Sequence, residues 1–380
     1  ELSLEGELRA VSGILPMTLH AKERGLKKIF VAPENANEAF LVDGIEVYPV
    51  KHLAELVDGL REESSFLPIT SAPDIQEPAA GEREDFADVQ GQFMAKRALE
   101  IAAAGGHNVL MVGSPGAGKT MLARRLASIL PDMTRQEALE VTKIYSIAGL
   151  LQNHAGLITA RPFRSPHHTT SSTAIIGGGS IPRPGEVTLS HNGVLFLDEL
   201  PEFNKGVLEV LRQPLEDGQV TVARVNATFT FPSRMILVCA MNPCPCGWNG
   251  DKEKTCTCSP NEIKRYTRKI SGPLLDRIDI HIRVPRVEYK ELTTSQPAEP
   301  SAVIRQRVTA ARNRQIQRLR SFHAVCNAQM SHAVLKKTCL LNLEAQKILE
   351  QAFNKMNMSA RSYDRIIKVA RTIADLDGKT

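Results

Sequence analysis

Aromatic side chains are scarce in this chain: they make up 5% of its 380 residues, with a single tryptophan, Trp248. Long apolar runs are missing as well. The longest, Met235 to Met241, falls far short of the roughly 20 apolar residues a helix needs to cross a bilayer, so no membrane partner is expected. No basic start followed by an apolar stretch opens the chain, so no secretory leader is expected and the expected compartment is the cytoplasm. An initiator methionine is absent too; Glu1 opens on a strand-like segment, as expected of a piece of something longer. Internal repeats and low-complexity tracts are lacking. What is present is ordinary for a globular protein: 42% hydrophobic and 23% charged residues. The formal net charge of +5 leans toward a polyanionic partner such as nucleic acid, although many metabolic enzymes are as basic.

Composition divides the chain. Residues 1–60 alternate short strand and helix signals: ELSLEGELRAV reads as strand, turn, strand; Leu19 to Gly25 as a helix ended by Gly; KKIFVAP as a strand stopped by Pro33. Residues 61–85 are rich in Pro, Ser and acid and read as a linker. Residues 86–290 read as an α/β domain. Its apolar strands, Asn108 to Val112, Val194 to Leu197 and Met235 to Ala240, suit a parallel sheet covered on both faces. A second polar stretch, KELTTSQPAEPS, precedes a helical region, 301–380.

The chemistry begins after the first of those strands. GSPGAGKT, Gly113, Ser114, Pro115, Gly116, Ala117, Gly118, Lys119 and Thr120, stands between a strand and the helical MLARRLASIL, the context a phosphate-binding loop requires. Glycines let backbone N–H groups approach a triphosphate, and the helix N-terminus adds partial positive charge. Lys119 is expected on the β and γ phosphates of ATP and Thr120 on Mg²⁺. The strand VLFL then ends in Asp198, expected on Mg²⁺, and Glu199, expected to polarise the attacking water; otherwise the acidic pair caps the next helix. MILVCAMN ends in Asn242, which either orients water near the γ-phosphate or makes a turn. Arg277 and Arg361 are candidates to stabilise charge on a transferring phosphoryl group, or equally to form salt bridges.

Three basic features can meet a nucleic-acid backbone. RPFRSPHHTTSS carries Arg161, Arg164, His167 and His168, which contact either phosphates or other protein surfaces. QVTVARVNATFTFP alternates like a hairpin around Arg224-Val225-Asn226, which grips DNA or is merely solvated. Ser301 to Leu343 holds eight basic residues and no Asp or Glu, a run for phosphates, for an acidic neighbour or for solvent. Finally, Cys244, Cys246, Cys256 and Cys258 form two C-x-C pairs, either a tetrahedral Zn²⁺ site or free thiols; the remaining cysteines sit in apolar patterns.

Taken together, GSPGAGKT, RPFRSPHHTTSS, GGGSIPRPGEVTLSHNGVLFLDELPEF, LRQPLEDG, AMNPCPCG, GPLLDRIDIH and SARSYDRI resemble the magnesium-chelatase branch of the AAA+ proteins, and within it the ComM/YifB family. The resemblance covers essentially the whole chain. It implies an AAA+ core with a C-terminal helical lid, assembly into a hexameric ring with ATP between subunits, Arg277 as the arginine finger and Arg361 as a second sensor. It places the Arg161–Ser172 segment in a loop inserted into helix two, and the hairpin toward a central pore. It further implies an ATP-dependent DNA branch-migration motor acting on single-stranded or branched DNA in natural transformation; the alternative is a chelatase-like motor remodelling a protein partner. Residues 1–60 resemble the C-terminal half of a Lon protease domain. There a Gly-Gly-Leu-Lys segment carries the catalytic lysine; here the matching SGILPMT puts Leu15 in its place, so the segment is expected to be a scaffold without protease chemistry.

Overall fold

The computed structural model describes residues 1–61, 67–70, 84–151, 156–179, 182–224, 227–251, 253–287, 298–356 and 358–379. Most of the expected linker at 61–85, most of KELTTSQPAEPS, and Val225 and Asn226 lie outside these residues. The chain forms two compact units. One comprises Glu1–Glu82 together with Met133–Ala160 and Gly179–Pro184; the other comprises Arg83–Asp132, Arg161–Gly178 and Gly185–Thr380.

In the first unit, strands Lys28–Val31 and Glu46–Pro49 pair in parallel, joined by helix Pro33–Phe40. Helix Ile14–Glu23 starts five residues before the Leu19 expected from sequence. Its Leu15 is fully buried among Val31, Ala36, Ala39 and Val47. The position where the resemblance implies a protease lysine thus holds an apolar core side chain with no titratable group. The capped helix Arg135–Ala148 also belongs to this unit; its Thr134 and Glu137 satisfy each other's backbone N–H groups.

The second unit is an α/β core with a helical C-terminal region. Its parallel five-stranded sheet runs in the order Ile280–Arg283, Val109–Val112, Ile236–Met241, Val194–Leu197, Phe163–Arg164. Successive side chains of a strand point to opposite faces, and the apolar strands exploit this fully. Val109, Met111, Phe196 and Val238 pack with Leu99, Leu122, Leu126 and Val308 on one side. Leu110, Leu195, Leu197 and Cys239 pack with Leu208, Leu211, Phe231 and Leu274 on the other. Both faces are covered, which is why these strands carry no polar alternation. The expected hairpin is present as Gln219–Arg224 against Ala227–Pro232, antiparallel, with Arg224 opposite Ala227. Among the described residues no helix is long and apolar enough to cross a membrane.

The basic run lies on helix Ser301–Leu319 and beyond, and carboxylates distant in sequence neutralise much of it. Arg305 meets Asp132 at 3.0 Å, and Arg307 meets Glu100 at 2.7 Å and Glu299 at 2.8 Å. Arg312 donates to the carbonyls of Ala103 and Ala104, at the end of helix Phe93–Gly105. Arg318 holds the fully buried Asp375 of helix Ala360–Leu376 at 2.7 and 2.6 Å, joined by Asn327 and Arg371. Burial raises the Asp375 pKa, but the hydrogen bonds from Arg318 and Asn327 outweigh it and hold the carboxyl below its usual range. Asp375→Ala leaves two guanidinium groups without their shared partner and is expected to cost about 3–5 kcal/mol, read as a lowered urea midpoint for the helical region. Because the folded carboxyl titrates below the unfolded one, its contribution is whole at neutral pH and fades as the pH falls through the aspartate range.

Candidate functional site

Two central strands end level with each other and the third two residues earlier, and their register decides what meets at their C-terminal edge. Met241 stands opposite Val112, and Cys239 opposite Leu197. Gly113 and Asn242 therefore emerge level with each other and Asp198 two residues earlier, all at the C-terminal edge where ligands of parallel sheets bind. Gly116 and Gly118 adopt φ of 77° and 83°, which a β-carbon would disfavour, and the loop turns directly into helix Lys119–Ile129. Its first-turn N–H groups and helix dipole face whatever the loop encloses.

Lys119 sits at the centre and is 9% exposed. Its ammonium donates to Gly113 O at 2.6 Å, Ser114 O at 3.1 Å and Asn242 Oδ1 at 3.1 Å. Burial pushes its pKa below the usual lysine range, against the pull of Asp198 and Glu199. An ammonium held only by neutral oxygens fits an anion such as the ATP phosphates. Thr120 Oγ1 donates to Asp198 Oδ2 at 2.7 Å. Adjacent ligands of an octahedral Mg²⁺ stand about 2.9 Å apart, so this hydroxyl and carboxylate fit the expected metal pair. Glu199 adopts φ 51°, rare for a residue with a β-carbon, and its carboxylate lies 3.3 Å from His168 Nδ1.

The two arginines do not join this group. Arg277 and Arg361 converge instead on Glu216, Arg361 at 3.3 Å, and Arg277's hydrogen bond holds the Glu216 carboxyl below its usual range. Arg277 and Glu216 line a cavity of about 650 Å³ with Ser172, Arg212 and Thr221. The sequence offered no sign of Glu216's role, although it lies within the LRQPLEDG string.

Among the polyanion candidates, Arg164 forms a two-point ion pair with Glu186, both bonds 2.7 Å, and Arg161 donates to Asn192 O at 2.7 Å and to Pro131 O. These arginines hold the fold in place, which favours the protein-contact reading of both over the phosphate-contact one. His167 hydrogen-bonds Thr169 at 2.9 Å, and its ring lies 4.1 Å from that of His168. Arg224, expected between the two strands of the hairpin, is the last residue of the first strand, opposite Ala227.

The four cysteines do come together. Cys244 Sγ lies 3.4 Å from Cys246 Sγ and 3.7 Å from Cys256 Sγ, Cys246 and Cys256 stand 3.6 Å apart, and all four sulfurs fall within 4.8 Å of one another. The Trp248 and Thr257 N–H groups draw the Cys246 thiol down to about 6.

This phosphate loop, acidic strand end and lid define a P-loop nucleotide-binding protein of the AAA+ class. Comparison with known proteins narrows it. The family model for magnesium chelatase, subunit ChlI, matches residues 85–292, and that for its C-terminal part matches 298–380. Competence protein ComM of Haemophilus influenzae is 44% identical over all of this chain and 74% of its own length. YifB of Escherichia coli is 42% identical over 99% of this chain and 72% of its own. The magnesium-chelatase 38 kDa subunit of Rhodobacter capsulatus is 24% identical over 60% of this chain. The chain belongs to the ComM/YifB-like proteins of the magnesium-chelatase branch.

The separate tasks expected of Lys119 and Glu199 would give separable phenotypes. Lys119→Ala should weaken nucleotide binding at least tenfold in a fluorescent-nucleotide titration. Glu199→Gln should bind ATP normally and lose hydrolysis by about a hundredfold or more. Near-normal turnover by Glu199→Gln would remove Glu199 from the role of base.

Proposed function

We propose that this chain is an ATP-driven DNA motor that migrates or unwinds branched recombination junctions, working as a hexameric ring with Mg-ATP between subunits. The observation that carries this reading is the contact between His168 and Glu199. His168 belongs to the same loop as His167, so a strand lying on that loop has a direct route to the group that polarises water. The likeness to a competence protein over the whole chain supports DNA as the substrate class. In this reading Thr120 and Asp198 hold Mg²⁺, Gly113 to Lys119 cradle the phosphates, Asn242 orients water, and the hairpin carrying Arg224 grips the backbone.

The pairing of Arg277 and Arg361 on one carboxylate supports their acting together from one surface, away from their own phosphate loop. In a ring both would leave Glu216 for a neighbour's nucleotide, Arg277 as the finger and Arg361 as the sensor. The four thiols, whose sulfurs all lie within 4.8 Å of one another, are assigned to a structural zinc. A chelatase-like motor remodelling a protein partner is the second reading, favoured by the chelatase family models but matched by a chelatase subunit over only part of the chain.

The test is basal and DNA-stimulated ATP turnover across a salt series. Single-stranded or forked DNA should raise turnover, and the stimulation should fall steeply with salt because backbone contacts release counterions. Arg224→Ala should lose most of the stimulation and keep basal turnover. Absence of any DNA effect in active protein would favour the protein-remodelling reading. Arg277→Ala should lose about a thousandfold in turnover while binding nucleotide, and mixing it with Lys119→Ala protein should restore part of the activity if the finger serves a neighbour.

A further inference from the structure

The segment Pro243–Ser259 runs from the end of the asparagine strand to the helix Pro260–Thr267 and holds no helix or strand among its described residues. Besides tight turns and the Asp251 hydrogen bonds, its internal order is the cysteine cluster. Four sulfurs bound at about 2.3 Å to one zinc stand about 3.8 Å apart in a tetrahedron. The separations among Cys244, Cys246 and Cys256, 3.4, 3.7 and 3.6 Å, lie close to that figure, and Cys258 lies within 4.8 Å of each. Backbone N–H groups also point at the sulfurs, Cys246 N to Cys258 Sγ at 3.4 Å and Asn249 N to Cys244 Sγ at 3.3 Å. Such donors stabilise thiolates, and four thiolates on Zn²⁺ leave a net negative charge. Two cations, Lys254 and Arg286, stand over the Trp248 ring at 4.3 and 4.9 Å, within the same segment's surroundings.

What gives the cluster a role is where the rest of the segment lies. Asp251 accepts a 2.6 Å hydrogen bond from Ser114 Oγ in the phosphate loop, and is itself fixed by the N–H groups of Glu253 and Lys254. Gly247, at φ 86°, lies flush on the next residue of that loop: a β-carbon there would stand 2.6 Å from the Pro115 ring. Arg286 links the two sides, donating toward Pro115 O at 3.5 Å and pairing with Glu253 at 3.3 Å. At its other end, Asn242, two residues before Cys244, touches Lys119. The segment therefore grips the phosphate loop at Ser114 and Pro115 while its own shape depends on the cysteines.

We propose that Cys244, Cys246, Cys256 and Cys258 hold a zinc ion that braces the phosphate loop, so that nucleotide binding depends on the metal. Zinc fixes the turn Pro243–Gly250, the turn presents Asp251 and Gly247, and these preorganise Ser114 and Pro115 for the phosphates. The inference rests on the assignment of the thiols to zinc and of Gly113–Thr120 to phosphate binding.

Purified protein prepared without chelators should contain about one zinc per chain by elemental analysis. Stripping it with a zinc-selective chelator in excess Mg²⁺ should weaken binding of a fluorescent ATP analogue roughly tenfold or more, and added Zn²⁺ should restore it. Cys256→Ser should lose the metal. Asp251→Ala should keep the metal yet bind nucleotide roughly threefold or more weakly, since only the contact is cut. Protein without zinc overturns the metal site. Zinc present, with unchanged nucleotide affinity both in Asp251→Ala and in stripped protein of unchanged circular dichroism, overturns the brace. Should stripping unfold the protein, normal affinity in zinc-loaded Asp251→Ala overturns it alone. Normal nucleotide binding by Lys119→Ala would instead overturn the phosphate-loop assignment.

Discussion

A buried ammonium with no carboxylate in contact among the described residues is the constraint around which the second unit is arranged. Lys119 is held by two loop carbonyls and one amide oxygen, while Asp198 and Glu199 act on it only at longer range. Burying a cation this way costs free energy that a phosphate anion recovers, so the site is built to be completed by its ligand. Parallel pairing makes the arrangement possible. Only because three strands run in the same direction do a glycine loop, an acidic pair and an asparagine reach the same edge. The apolar layers on both sheet faces hold those strands in register, and a slip of one residue would exchange the two faces.

The net positive charge has a more structural use than its sign suggests. Much of the basic helix is spent on the carbonyls ending another helix and on carboxylates far away in the chain, Glu100, Asp132 and Asp375. Arg161 and Arg164 are likewise engaged within the fold. Electrostatic attraction of a polyanion therefore falls to fewer groups than a count of arginines implies. In the proposed motor these are the histidine loop beside Glu199 and the hairpin carrying Arg224.

The nucleotide site was legible because it is local and periodic: an apolar strand, glycines at fixed spacing, a helix start, and acids at the end of a second strand. The sheet itself followed from strands too uniformly apolar to face water. Less of the remainder could be read. Glu216 serves two arginines separated from it by 61 and 145 positions, and nothing in its neighbourhood marks it out. Asp251 belongs to no motif in the sequence, and only the fold brings it to Ser114. Residues Met133–Ala160 follow the phosphate-loop helix in sequence but pack with the N-terminal unit, a long-range preference that composition does not record. The cysteines stood between these cases: their pairing in sequence suggested a metal, and only the folded segment shows them converging beside the phosphate loop.

The central claim, that hydrolysis at Lys119 and Glu199 is spent on moving DNA strands, is tested most directly by displacement of a labelled strand from a synthetic three-way junction. The account predicts displacement with Mg-ATP, none with a non-hydrolysable analogue, and none by Glu199→Gln protein that still binds the junction. Protein that hydrolyses ATP briskly on DNA yet leaves every strand of the junction in place would contradict it.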